Sequence, residues 1–219
     1  MTDSEAPILN IVGERVALGP LHRERMLALD LKRANDFAVT VYHGQNPHPV
    51  TEEMVAARYE RITHSPNELW FFIYEHASLR PIGYTYFSDM NRVHRTAEFN
   101  ISIGATDCWG KGYGTETTQL MLTYAFDVLG FHIIWLRVIG TNERAIRAYH
   151  RAGFQDAGRL REPTGLASRH MICSIWNVWR ENINDQSPGA HNPGTAAMRD
   201  WPVAAQPALA ADRLRRARS

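Results

Sequence analysis

The sequence predicts one mixed α/β domain, with hairpin-connected strands first and crossover helices later. Three observations predict it. Runs of β-branched and aromatic residues alternate with helix-period segments between Ile8 and Trp179. Three glycines at alternate positions, Gly110, Gly112 and Gly114, separate a strand-like from a helix-like segment. Near Asn184 the composition turns to Pro, Gly and Ala, which marks the end of anything that can pack.

Val12–Leu18 reads as a first strand, and His22–Asn35 and Thr51–Thr63 as amphipathic helices. Leu69–Glu75 and Ile82–Ser88 are apolar and aromatic runs parted by Leu79-Arg80-Pro81, which predicts a hairpin. Ala97–Ile103 alternates between faces and reads as a further strand. Glu116–Leu129 has helical periodicity and stops at Gly130, a natural helix end. Ile133–Ile139 is β-branched. Asn142 opens a helix over Glu143–Arg151 that stops before Gly153, and Phe154–Arg159 and Met171–Trp179 are the closing strands. Residues 1–183 therefore form the domain. Residues 184–219 form a flexible tail whose end, Arg213 to Arg218, holds four arginines.

At 44% hydrophobic residues the 219-residue chain can bury a core, and a net charge of +1 supplies no strong pull toward nucleic acid or an anionic membrane. Its two cysteines, Cys108 and Cys173, are too few for a disulfide framework, so a reducing cytoplasm is expected. No stretch reaches the roughly 18 apolar residues of a membrane span. The ten histidines show no metal-ligand spacing, and no metal site is expected.

Trp109-Gly110-Lys111-Gly112-Tyr113-Gly114-Thr115 is the sharpest local feature. Glycines there admit backbone conformations that a Cβ forbids and let a ligand come close. The helix that follows aims its free N–H groups and the positive end of its dipole at that ligand. A diphosphate suits such a cradle; a merely tight turn would use the same residues. Two rival phosphate motifs fail. A Walker loop needs Ser or Thr after Lys111, where Gly112 stands, and glycine at Ala105. A dinucleotide fingerprint needs glycine at Thr115 or Thr117.

The loop and the block Asn142-Glu-Arg-Ala-Ile-Arg-Ala-Tyr149-His-Arg-Ala-Gly-Phe154, in this order, resemble the GNAT superfamily of N-acetyltransferases. Gly112 and Gly114 match the loop pattern of that family, while Trp109 replaces its Gln or Arg. The segment from Asn91 to Phe99 resembles the branch of ribosomal-protein N-terminal and spermidine acetyltransferases. The resemblance implies a GNAT fold, whose mixed central sheet has a splayed strand pair and flanking helices.

The same resemblance implies acetyl-CoA as cosubstrate. Its pantetheine would lie along Ile101, Ser102 and Ile103, and its pyrophosphate on the amides from Gly110 to Thr115, with Trp109, Lys111, Tyr113 and Gly114 around it. Asn142 would cap its helix and reach the pantetheine arm. Tyr149, about two helical turns further on, would protonate the departing thiolate. Acetyl transfer needs a neutral amine, so a proton acceptor is required, and Glu98 is the candidate. A salt bridge from Glu98 to Arg95 or Arg92 is its structural alternative; Asp107 and Glu116 are weaker candidates. The acceptor is an amine of a protein N-terminus, a polyamine or an antibiotic-like small molecule. A homodimer stays open, and so does a non-catalytic acyl-CoA-binding or partner-binding module.

Overall fold

A computed structural model describes residues 6–35, 48–161 and 172–180. Eight strands make one sheet: β1 (Ile11–Val12), β2 (Val16–Gly19), β3 (Leu69–Glu75), β4 (Pro81–Asn91), β5 (Thr96–Ile103), β6 (Ile133–Ile139), β7 (Gln155–Arg161) and β8 (Ile172–Trp179). Their spatial order is β1-β2-β3-β4-β5-β6-β8-β7. Every neighbouring pair is antiparallel except β5 and β6. Among the described residues the α-helices are α1 (Arg23–Ala34), α2 (Glu52–Thr63), α3 (Tyr113–Thr123) and α4 (Glu143–Arg151).

The parallel pair is the feature that matters. Its register, Thr96 with Ile133 through Glu98 with Trp135, covers only the start of each strand. Beyond Glu98, β5 stays bonded to β4 as far as the Ile103–Gly83 pair, and β6 to β8 as far as Ile139–Cys173. Each strand is thus held by its outer neighbour and released by its inner one. The sheet opens into a V at its middle, with the α3 N-terminus near the end of one arm and the α4 N-terminus near the end of the other. This is the splayed pair that the family resemblance implies.

Two cores flank the sheet. Alternation along β5 and β6 sends Ala97, Phe99, Ile134, Leu136 and Val138 toward α3 and α4, where they meet Leu120, Met121, Tyr149 and Phe154. The opposite face carries Trp70, Phe72, Tyr74 and Tyr84 against Met26 of α1 and Val55 and Ile62 of α2. Burial on both faces explains why β3 reads as an unbroken apolar run rather than an alternating one.

Most predicted boundaries fall within two residues of the structure; four differ more. Val12–Leu18 is two strands: the chain reverses at Gly13–Arg15, where Gly13 N–H donates to the Val16 carbonyl at 2.8 Å. No Asn-Gly or Asp-Gly pair advertises that turn. The helix after the glycine cluster starts at Tyr113 rather than Glu116, because Gly112, at φ 85°, stands at its N-cap. The same helix ends early, at Thr123, and passes into a π turn over Tyr124–Val128. β4 runs three residues past Ser88, with a register shift between Ser88 and Asn91. The predicted tail, 184–219, lies outside the described residues.

Candidate active site

The V encloses a cavity of about 550 Å³. One wall is β5, contributing Phe99 to Ile103, beyond the end of its ladder with β6. The other is β6 from Arg137 to Ile139, and α4 closes one side with Asn142, Ala145, Ala148 and Tyr149. The glycine loop forms the end, where Trp109, Gly110, Gly112, Tyr113, Gly114 and Thr115 all line the cavity. The structure therefore brings Ile101, Ser102, Ile103, the loop, Asn142 and Tyr149 around one space. Lys111 stands outside that wall, and its carbonyl accepts from Arg15 Nη1 at 3.3 Å.

The loop glycines do different work. Gly110 and Gly112 have positive φ, 79° and 85°, where an L side chain is strained. A Cβ on Gly112 would also approach the Arg15 guanidinium, whereas one on Gly114 would stand 3.9 Å from Ile103 Cδ1, beside the cavity wall. Gly112 is needed for its conformation, and Gly114 leaves room. From behind the loop, Tyr113 donates its hydroxyl to Glu75 at 2.8 Å, and Ser78 donates to the same carboxylate at 2.6 Å. These bonds hold the Glu75 carboxyl below its usual range, the Ser78 hydroxyl contributing most. They tie the first residue of α3 to the β3–β4 turn.

Asn142 caps α4 as expected, its Oδ1 accepting from Ala145 N–H at 3.2 Å. Tyr149 is buried, edge-on to Phe99 at 6.3 Å between ring centres. Burial pushes its phenol well above the ordinary tyrosine value. The hydroxyl therefore keeps its proton through the neutral range.

Glu98 is buried at the last position where β5 pairs with β6. The salt bridge foreseen with Arg95 or Arg92 forms with another residue. Arg137 of β6 donates Nε to Oε1 at 2.7 Å and Nη2 to Oε2 at 3.1 Å, and Ser88 donates to Oε2 at 3.3 Å. Arg95 instead donates Nε to the Gly130 carbonyl. The pair spans the point at which the V opens: Arg137 lines the cavity, and Glu98 sits behind it. Asp107 is bonded to Arg80 at 2.6 Å, and Glu116 accepts from the Arg15 N–H at 3.0 Å. Neither lines the cavity.

Sequence reading missed the five arginines that line the cavity, Arg58, Arg137, Arg144, Arg147 and Arg151. Arg144 lies over the Trp109 ring, Arg137 clasps Glu98, and Arg58 of α2 reaches the cavity from the α1–α2 side. Only Arg137 left a signal, as the one charged residue in the β-branched run Ile133–Ile139. Among the described residues no group of three or more His, Cys, Asp or Glu could hold a metal ion, and no helix is long and apolar enough to cross a membrane.

A parallel strand pair splayed between a glycine-rich helix start and a buried phenol defines a CoA-dependent acyltransferase scaffold. Comparison with known proteins makes it specific: residues 15–155 match the acetyltransferase (GNAT) domain, and the chain belongs to that family. It is similar to the spermidine N(1)-acetyltransferase of Escherichia coli K12, 31% identical over 145 residues, which is 66% of this chain and 75% of that one. It is 34% identical over 99 residues to the Vibrio cholerae spermidine N(1)-acetyltransferase, covering 45% of this chain and 57% of that relative's length. The V. cholerae spermidine N-acetyltransferase solved with CoA and spermine superposes with a TM-score of 0.70 at 26% identity, over 77% of this chain and 97% of that one. A form of that V. cholerae enzyme in an intermediate state, TM-score 0.64 and 25% identical, is dodecameric. The reaction class is that of the family: acetyl transfer from acetyl-CoA to an amine.

Proposed function

We propose that this chain acetylates a primary amine by direct attack on acetyl-CoA bound in the V, with Tyr149 and Glu98 handling the protons. The observation that carries the reading is the break in pairing after Glu98 and Trp135. It ends the β5–β6 ladder before Ile101 to Ile103, along whose inner side an extended amide chain such as pantetheine can lie as a strand would. The pyrophosphate then falls on the loop amides at the positive end of the α3 dipole.

In the transfer, the amine nitrogen bonds to the thioester carbon and the carbon–sulfur bond breaks. The leaving sulfur takes the Tyr149 proton, and the proton lost by the amine goes to Glu98. No covalent enzyme intermediate is needed, because holding both reactants aligned supplies much of the rate advantage. Glu98 already accepts from Arg137 and Ser88, so it works as base only by exchanging one of those contacts for the incoming proton.

The names of the relatives support a polyamine as acceptor, while a protein N-terminus and an antibiotic-like amine fit the same chemistry. Self-assembly, with a homodimer as one open form, and a cytoplasmic location belong to the same proposal. Coenzyme release measured over a panel of amines tests it. Amine-dependent release is expected; acetyl-CoA binding without release from any amine would leave the non-catalytic acyl-CoA-binding module as the reading.

A further inference from the structure

Two carboxylates stand behind the acceptor side of the cavity, and an arginine covers each of them. Asp30 of α1 has a side chain 1% exposed and pairs at 3.0 Å with Arg58, which is 31% exposed. Glu98, 5% exposed, pairs at 2.7 Å with Arg137, which is 55% exposed. Both arginines line the cavity and neither carboxylate does; among the described residues no Asp or Glu lines it anywhere.

Each pair is formally neutral, yet its cationic end faces the cavity. The position is also built. Arg58 lies over the rings of Trp70 and Tyr84, at 5.4 and 5.7 Å from their centres, and its Nη2 donates to the Tyr84 hydroxyl at 3.5 Å. A guanidinium keeps its charge at any working pH and offers a planar fork matched to carboxylate or phosphate oxygens. The second ammonium of a polyamine would approach two guanidiniums with no described carboxylate in front of them, in a partly desolvated space where like charges repel more strongly than in water.

We infer that the acceptor is a small primary amine that also carries a carboxylate or phosphate, held by Arg58 and Arg137 while its nitrogen meets the thioester. This rests on the acetyl-transfer reading and separates this chain's specificity from that of the spermidine enzymes it is similar to. The acceptor would enter between α2 and the β4–β5 face, past Tyr84, Tyr86 and Asn100.

The test uses the full chain and four amines: propylamine as neutral reference, 4-aminobutyrate, O-phosphoethanolamine and spermidine. One of the two anionic amines is expected to exceed propylamine in kcat/KM by about tenfold or more, the scale of one hydrogen bond to a charged group. Which of the two leads identifies the anion. Spermidine ahead of both, or parity with propylamine, overturns the inference but keeps acetyl transfer; release from no amine overturns both. Arg58→Lys keeps a cation against Asp30 and loses the fork. It is expected to raise KM for the anionic acceptor while KM for acetyl-CoA stays in place. An equal change in both constants would show that Arg58 serves the fold alone.

Discussion

The guanidinium carbon of Arg144 lies 3.6 Å from the centre of the Trp109 ring. Trp109 occupies the position at which the family pattern has Gln or Arg, and its indole N–H is already committed to the Ile103 carbonyl at 2.9 Å. A polar group lost from the loop is thus matched by a cation brought from the first turn of α4, seated on the ring that displaced it. Both residues line the cavity. Arg144→Ala is expected to raise KM for acetyl-CoA by about tenfold, the weight of one charge-assisted hydrogen bond. KM for acetyl-pantetheine, which has no pyrophosphate, should not change. Equal losses with both donors would mean that Arg144 only props up the loop.

Gly114 gives a cleaner test of phosphate binding than Gly112. At Gly112 a side chain meets a left-handed backbone and the Arg15 guanidinium, so lost binding would be confounded by strain. A valine at Gly114 has ordinary backbone geometry and projects beside Ile103. Gly114→Val should keep a near-native melting temperature and bind acetyl-CoA much more weakly by calorimetry. Unchanged affinity in a folded variant would place the pyrophosphate elsewhere.

Tyr149→Phe keeps the ring against Phe99 and Phe154 and removes one hydroxyl. Turnover is expected to fall by roughly 10²–10⁴-fold, the range for a lost general acid, with acetyl-CoA affinity retained. Wild-type rates would refute the assignment. The raised phenol also has a stability signature. The folded state holds this proton more tightly than the unfolded state does, so the contribution is whole below the ordinary tyrosine value of about 10. It is lost as pH rises from there toward the higher folded value. Urea midpoints compared at pH 9 and pH 11 should therefore fall more in the wild type than in Tyr149→Phe.

Glu98 and Arg137 have separable consequences. Arg137→Ala strands a buried carboxylate. Because Arg137 is about half exposed, the cost should be about 1–3 kcal/mol, below that of a fully buried pair. Glu98→Gln keeps the shape and several hydrogen bonds. If Glu98 takes the amine proton, its turnover should drop at neutral pH and recover as pH rises and the free amine becomes abundant. An unaltered pH–rate profile, alongside a lowered melting temperature, would assign Glu98 to the apex of the V alone.

Deletion of residues 185–219 is expected to leave acetyl-CoA affinity and melting temperature unchanged, because that segment is poor in branched apolar residues. Loss of either would show that it contributes an ordered element.

The sequence by itself determined the periodic elements and the glycine loop. Ile133–Ile139 and Glu143–Arg151 were legible to the residue, because a β-branched run and a capped amphipathic helix carry their own local signals. Gly112, Gly114, Asn142 and Tyr149 stood out through the resemblance to a family pattern, and the structure gathers them around one cavity. What needed the tertiary structure was every partner across the sheet. Glu98 could have paired with neighbours three and six residues away; it pairs with Arg137, 39 residues on, since only the parallel β5–β6 register sets them side by side. Arg58 and Asp30 come from different helices, and Arg144 meets Trp109 only because α3 and α4 start at the open end of the same V. Charge pairs of this kind have no period and no fixed separation. Their geometry follows from how the strands diverge, which depends on packing by both cores rather than on any segment alone.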